Sequence, residues 1–327
     1  MNCKNCTTPR CLSVEKGKDG KQRVKLSSIE SSKCLLKYLS QKPLSELVGK
    51  VTSDLLDELQ NGIKKASQKH YGIEPRDQSF NNVRGAWFEK VVSFWLWSRW
   101  YEYCKNIGGI PYFVLKLPDA AKFNFVKIFC SEEEEKVIGS LKKHLDNHGV
   151  ALETSNPDFV VVTLKAGEHK SCPVKHKDFS LENLGRLEDL YRNFEYLENL
   201  YRGFRNKCKY TDVICAIGVK DSLRPDRRLQ LVYEGNIFKA VMLHFKTRFW
   251  DYSYEIPPFY AIVNGKKAPG KKDARALITA TTSTLVDIRL RPERAVDETF
   301  YAGRLGDIDQ VFSKIKERLE SLQKNRV

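Results

Sequence analysis

Thr211-Asp212-Val213-Ile214-Cys215-Ala216-Ile217-Gly218-Val219-Lys220-Asp221-Ser222-Leu223-Arg224-Pro225-Asp226-Arg227-Arg228-Leu229-Gln230 passes from an apolar, β-branched run into a densely charged one. Thr211 to Val219 has the length and composition of a buried strand, which sets Lys220 at its end. The charged stretch reads as a loop, with a helix expected from about Tyr233 to Thr247. Upstream, Pro157-Asp158-Phe159-Val160-Val161-Val162 is a second short run of the same kind, a strand expected to continue to about Lys165, with Asp158 at its mouth. Both strands are apolar, so Asp158 and Lys220 are expected to emerge at one edge of a sheet.

Working outward, apolar residues three to four apart predict helices over Ser45–Tyr71 and Asn82–Cys104, the latter with a wide apolar face that includes Trp87, Phe94 and Trp95. Further helices are expected at 131–148, opened by a Ser131/Glu134 capping box, at 184–204 and at 307–322. Strands are expected at 112–117, 125–129, 260–263 and 285–290. Strands alternating with helices indicate an α/β class with a central mixed sheet flanked by helices.

The chain has 327 residues, of which 41% are apolar, so a sizeable core can form. Its 56 Lys and Arg outnumber 41 Asp and Glu, a net charge of +15 that suits a polyanionic partner, usually nucleic acid. No run reaches the roughly 20 apolar residues needed to span a bilayer, and Met1 is not followed by an apolar signal region. A cytoplasmic location, no membrane partner and reduced cysteines are therefore expected. Residues 1–40 form a polar, Lys-rich segment holding Cys3, Cys6, Cys11 and Cys34. Cys3-x-x-Cys6 is a zinc-ligand spacing, so a four-thiolate Zn²⁺ site is one reading; Cys11 and Cys34 form no second close pair, and reduced thiols on an N-terminal arm is the other. Residues 41–327 are expected to form the main domain.

There is no phosphate-binding Gly-rich loop, no His-Glu-x-x-His and no Gly-x-Ser-x-Gly elbow, and the six His do not cluster. Carboxylates and lysine remain. Glu234 follows Lys220 by fourteen positions, at the start of the next helix. Glu89 interrupts an apolar helix between Phe88 and Val91, where a charge is costly unless paired or metal-bound. Such a set suits phosphodiester hydrolysis: carboxylates hold Mg²⁺, and a lysine orients or deprotonates the attacking water. A salt-bridged carboxylate–lysine cluster with no catalytic role is the plainer alternative. Within the charged stretch, arginine can donate twice to guanine and aspartate can accept from cytosine in a major groove, so Arg224-Pro225-Asp226-Arg227, with Arg228 beside it, could read adjacent G·C pairs. A solvated, self-paired charged loop is the alternative here.

The segment resembles the type II restriction endonucleases that cut CCGG-type sites, the NgoMIV- and SgrAI-like group. These use a variant of the nuclease Pro-Asp…Asp/Glu-x-Lys (PD-(D/E)XK) pattern, in which the acidic residue that normally precedes the lysine has moved to the following helix. Pro157-Asp158, Lys220 and Glu234 match that variant. Arg224, Asp226 and Arg227 follow the lysine by four, six and seven positions, as the family's recognition residues do, and Glu89 matches its upstream helical glutamate. The resemblance covers about Gly85 to Lys239. It departs from the family in the sixty-one residues between Asp158 and Lys220 and in the N-terminal Cys segment.

The resemblance implies a restriction-endonuclease-like core. Asp158 and Glu89 would hold Mg²⁺, with the backbone carbonyl of Val219 as an added ligand. Lys220 would lie beside the attacking water, and Glu234 would be a metal ligand or an acid next to the metal. It further implies cleavage of double-stranded DNA at a palindrome with a CCGG or CCNGG core, 5′ overhangs, a homodimer that can pair into a tetramer, and a cognate cytosine methyltransferase protecting host DNA.

Pro157-Asp158 also has a literal Glu168-His169-Lys170 downstream, which would complete the standard motif. A strand from Asp158 to about Lys165, rising ~3.3 Å per residue, carries the chain away from Asp158 and favours Lys220 instead. Two further readings stay open: a sequence-independent or repair nuclease with the same carboxylates, and a DNA-binding protein without catalysis.

Overall fold

Five short strands, lying side by side in chain order, form one mixed sheet. The structure, a computed structural model, describes residues 10–17, 20–152, 154–163, 187–265, 277–281 and 293–324. The strands of the sheet are β3 (Phe113–Lys116), β4 (Phe159–Val162), β5 (Val213–Lys220), β6 (Phe259–Val263) and β7 (Glu298–Tyr301). β3, β4 and β5 pair antiparallel, whereas β5, β6 and β7 pair parallel. A separate hairpin, β1 (Leu12–Lys16) with β2 (Gln22–Leu26), precedes them.

The helices are α1 (Ser28–Ser40), α2 (Leu44–Leu47), α3 (Thr52–Tyr71), α4 (Asp77–Ile107), α5 (Ser131–Glu133), α6 (Gly139–Asn147), α7 (Leu187–Arg192), α8 (Phe194–Asn199), α9 (Pro225–Arg248) and α10 (Asp309–Lys324). Helix α4 is the buried spine. Trp87, Trp95, Trp97 and Trp100 are almost wholly enclosed, and a buried indole N–H needs an acceptor. Each has one: Ser31 Oγ, Asp309 Oδ1, the Val114 carbonyl and the Tyr112 carbonyl, at 2.7–2.9 Å. These bonds fasten α4 to α1, α10 and the β3 region. No helix among the described residues is long and apolar enough to cross a membrane.

Side chains alternate along a strand, so β5 turns Gly218 and Lys220 to the same face, the one covered by α9. A Cβ at Gly218 would meet Leu231 Cδ2 at 2.7 Å and Glu234 Oε2 at 3.2 Å, and one at Gly235 would run into the Ala295 carbonyl. The absent side chains let α9 press close enough to the sheet for Glu234 to reach Lys220.

Several elements differ from the sequence expectation, each for a tertiary reason. The helix expected over 45–71 is split between α2 and α3, because Val48 and Lys50 give their carbonyls to Gly306 and Leu305, and Thr52 donates to Gly303. The strand expected at 125–129 is a 3-10 turn over Phe125–Ile128; Asn124 caps it through Val126 N–H, and Asn156 takes Phe125 N–H. The helix expected over 131–148 is α5 and α6 joined by a π-turn at Glu134–Ile138, and Cys130, not Ser131, is its N-cap with no side-chain bond. Where one helix was expected to end at residue 204, α7, α8 and a 3-10 turn at Leu200–Phe204 follow one another. Hairpin β1–β2, helix α1 and strand β7 were not expected. The strand expected at 285–290 lies outside the described residues.

Glu133 ties α5 to the entry of β5 by accepting Tyr210 N–H at 2.9 Å. Burial, with Asp212 nearby, pushes its carboxyl from the ordinary 4.5 up to about 7. A carboxyl that binds its proton more tightly in the folded chain lends stability that is complete below about 4.5 and lost as pH rises through about 7. Glu133→Gln keeps an acceptor for Tyr210 and removes the ionisation. It is expected to raise stability at about pH 8 by up to about 3 kcal/mol and leave it nearly unchanged at about pH 4. Thermal melts of both proteins across that range check it.

Candidate active site

Because β4 runs antiparallel to β5, with Phe159 opposite Ile217, the residue before β4 meets the last residues of β5. Asp158 Oδ2 accepts the Val219 N–H at 2.5 Å and lies 3.4 Å from Lys220 Nζ. Lys220 Nζ also reaches Glu234 at 3.2 Å (Oε1) and 3.5 Å (Oε2). The sheet edge thus brings Asp158 and Lys220 together as the two strands suggested, and α9 adds Glu234. N–H and C=O of one strand residue face the same neighbour, so the Val219 carbonyl turns to the Asp158 side as well. Lys220 and Glu234 are buried at 8% and 3% exposure, while the Asp158 side chain keeps 22%, which opens the group to the cleft.

Glu89, on α4, is half-buried and paired to Lys116, the last residue of β3. Lys116 lies opposite Phe159, one residue from Asp158. Its role was not anticipated, although the pattern that singled out Lys220, a lysine closing a buried strand, is present in Phe113-Val114-Leu115-Lys116 as well. Beside this pair, Lys90 bridges to Glu198.

The electrostatics follow from burial and charge. Burial would drive a proton off Lys220, but Asp158 and Glu234 outweigh it and hold the ammonium pKa above its usual value. Burial and the charge of Asp158 push Glu234 up to about 7 in spite of Lys220. Asp158 is raised too, by burial and by the negative charge of Glu89, against Lys220 and the Val219 N–H.

Glu89 thus acts on Asp158 and Asp158 on Glu234, and the carboxylate oxygens that border the cleft are the donor type a hard divalent cation prefers. Among the described residues, no three His, Cys, Asp or Glu side chains are gathered into a cage for a metal ion. Mg²⁺ requires none, since it keeps several waters and binds through one or two carboxylates plus phosphate oxygens. Cys3 and Cys6, the core of the zinc reading, lie outside the described residues. Cys11 is buried beside the hairpin and Cys34 is half-buried on α1; neither belongs to a metal-holding group among the described residues.

The expected recognition loop is not a loop. Helix α9 begins at Pro225, with Arg224 as N-cap, so Asp226, Arg227 and Arg228 occupy its first turn. Proline at the first helical position has its φ preset and lacks only an N–H that would be unpaired there, and Asp226 suits the positive end of the helix dipole. Arg224, Asp226 and Arg227 are exposed and Arg228 is half-buried. Arg227 Nε lies 3.5 Å from Asp226 Oδ2, and its Nη1 donates to Gln230 Oε1 at 3.2 Å. Asp221 is held at the end of β5 by Arg84 at 3.4 Å and Asn264 at 2.6 Å.

Glu89, Lys116, Asp158, Lys220 and Glu234 line one cleft of about 770 Å³, with Gln230 and Tyr233 on its α9 wall. Asn156 shapes the facing wall, donating to the carbonyls of Pro118 and Phe123 at 2.7 and 2.6 Å. Neither Gln230 nor Asn156 was singled out from the sequence; a lone amide carries no motif, and only its partners reveal it. Glu168 and Lys170 lie outside the described residues.

The family model of the Cfr10I/Bse634I restriction endonucleases matches residues 33–318. The type II restriction enzyme Cfr10I of Citrobacter freundii is 30% identical over 239 residues, 73% of this chain and 79% of that protein. Among solved structures, the Bse634I restriction endonuclease is 32% identical with a TM-score of 0.75, over 95% of this chain and 99% of that one. A structure of the type IIF restriction endonuclease Bse634I with cognate DNA gives a TM-score of 0.76 at 30% identity, with the same coverage.

Proposed function

Because this chain belongs to the Cfr10I/Bse634I restriction endonuclease family and is a site-specific deoxyribonuclease, we propose that it hydrolyses double-stranded DNA, with Mg²⁺, at a palindrome with a CCGG or CCNGG core. The observation that carries this reading is the contact of Asp158, Lys220 and Glu234 at one sheet edge, directly below a helix whose exposed first turn bears Asp226 and Arg227.

Asp158 and Glu89 would hold the metal, with the Val219 carbonyl and Glu234 as further donors. Mg²⁺ bound there supplies charge neutralisation at the scissile phosphate and a more acidic water. Lys220, kept protonated by its two carboxylates, orients the attacking water and donates to the charge that develops on the phosphate. Glu234, in contact with Lys220, would serve as a metal ligand or as an acid next to the metal. The helix N-terminus and Arg224 attract the DNA backbone, and the Arg224, Asp226 and Arg227 side chains, with Arg228 behind them, read G·C edges.

Residues 41–327 form the endonuclease domain in this reading, and 1–40 are a Cys-rich basic N-terminal segment. A palindrome is matched by a two-fold homodimer, which can pair into a tetramer. Cleavage before the first C of the core leaves a 5′ overhang, and a cytosine methyltransferase of the same specificity protects the host DNA.

Digestion of phage DNA with Mg²⁺ or with chelator, followed by sequencing of the ends, tests the proposal. Discrete fragments that need Mg²⁺ and end at CCGG or CCNGG are expected. A smear would point to a nuclease without sequence preference, and discrete ends at an unrelated sequence would overturn the proposed site.

A further inference from the structure

We infer that Asn156 is a positioning residue for Asp158: its amide pins the neck of the loop at 118–123 and so joins that wall of the cleft and the carboxylate into one rigid unit. The inference rests on Asp158 acting in cleavage, as proposed above. β3 ends at Lys116 and β4 begins at Phe159, so their ladder stops where the cleft opens. One more backbone bond, from Leu117 N–H to the Asp158 carbonyl at 2.9 Å, extends it. Past that bond Asn156 takes over the task of holding the two segments together. Its Nδ2 donates to the carbonyls of Pro118 and Phe123 at 2.7 and 2.6 Å, and its Oδ1 accepts the Phe125 N–H at 2.9 Å.

An asparagine amide carries two N–H donors and one carbonyl, and here both donors and the carbonyl are in use. The two accepting carbonyls stand at opposite ends of the loop, so a single NH₂ group closes its neck. Residues 117–122 of this loop line the cleft. The pin is joined to Asp158 through one stiff residue. Pro157 is buried, its ring fixes its own φ, and it confines Asn156 to extended backbone. On its other side, Asp158 is gripped by the Val219 N–H through Oδ2 at 2.5 Å. The carboxylate is thus set between β5 and the pinned loop. Without Asn156, the chain entering β4 and the wall of the cleft can shift against each other, and Asp158 shifts with them.

Asn156→Ala removes all three bonds. Single-turnover cleavage of a duplex carrying one site is measured with Mg²⁺, well below the melting temperature, for the parent protein, Asn156→Ala, Asp158→Asn and the double variant, alongside duplex binding. A misplacement of about 1 Å can slow a reaction about 10²-fold. Asn156→Ala is expected to cut about 10²-fold more slowly at unchanged affinity. In the Asp158→Asn background the same substitution is expected to cost nothing further, because a residue that acts through Asp158 has nothing left to place. A merely structural role would multiply the two losses. That multiplication, or an unchanged rate in Asn156→Ala, overturns the inference. Asn156→Asp retains the acceptor for Phe125 N–H and loses both donors to the neck; carried through the same cycle, it supplies the same test if the alanine variant does not fold. Asp158→Asn separates the two ways of failing. If it cuts as the parent does, Asp158 lies outside the chemistry and the reading and the inference fall together. If it is slow while Asn156→Ala cuts normally, the reading stands and the inference falls.

Discussion

Asp158→Asn is expected to lower single-turnover cleavage by about 10³-fold, within the range for loss of a positioned catalytic group, while leaving affinity for the duplex within a few-fold. Asp158 carries out two tasks with one oxygen: Oδ2 accepts the Val219 N–H at 2.5 Å and meets Lys220 at 3.4 Å. Asparagine retains an acceptor for Val219, so the junction of β4 and β5 stays satisfied. It removes the negative charge that helps keep Lys220 protonated and that would hold the metal. Asp158→Ala would in addition strand the Val219 N–H, at a cost of about 1–3 kcal/mol. Melts of the two variants therefore distinguish chemistry from folding: Asn should lose activity at near-normal stability, and Ala should lose both. Substantial cleavage by Asp158→Asn would remove Asp158 from the site.

Arg224→Lys and Arg227→Lys are expected to erode sequence discrimination by about 1–3 kcal/mol each while leaving the salt dependence of binding unchanged. Lysine preserves the charge but not the planar fork that makes two bonds to guanine. Both arginines lie at the start of α9, and Arg227 is exposed, with Asp226 and Gln230 as its partners among the described residues. A residue that contacts phosphate alone behaves in the opposite way: its removal weakens binding to every sequence and reduces the salt slope by about one. Cleavage and binding of correct and singly replaced sites over a series of salt concentrations separate the two patterns.

The fold and the site were legible in the sequence to different depths. The buried runs at 159–162 and 213–219 announce strands by composition alone, and Asp158 and Lys220 were placed at their ends because an apolar run leaves its polar neighbours at the sheet edge. That the two edges coincide follows from antiparallel pairing, which no single segment encodes. Glu234 stood out by its place at the start of the helix after Lys220 and by the resemblance to a known spacing, but that α9 turns it onto Lys220 is a matter of packing. The start of α9 was misplaced because Arg-Pro-Asp serves equally well as a turn and as a helix N-terminus; the packing of Leu231 against Gly218 sets the choice. Lys116, Asn156 and Gln230 went unnoticed because each acts through a partner far away in sequence or through a pose that spacing does not report. The breaks at 48–51 and 125–128 likewise come from distant carbonyls and amides that outcompete local helix or strand bonding.

The central claim is that the lysine closing β5 is the one that works with Asp158. Lys220→Ala and Lys170→Ala, each incubated with Mg²⁺ and a DNA fragment carrying one site, test it most directly, with duplex binding confirming that each variant is folded. Lys220→Ala is expected to bind DNA but not to cut it, and Lys170→Ala to cut as the parent protein does. Cleavage lost in Lys170→Ala and retained in Lys220→Ala would remove Lys220 from the chemistry and move the site to Glu168 and Lys170.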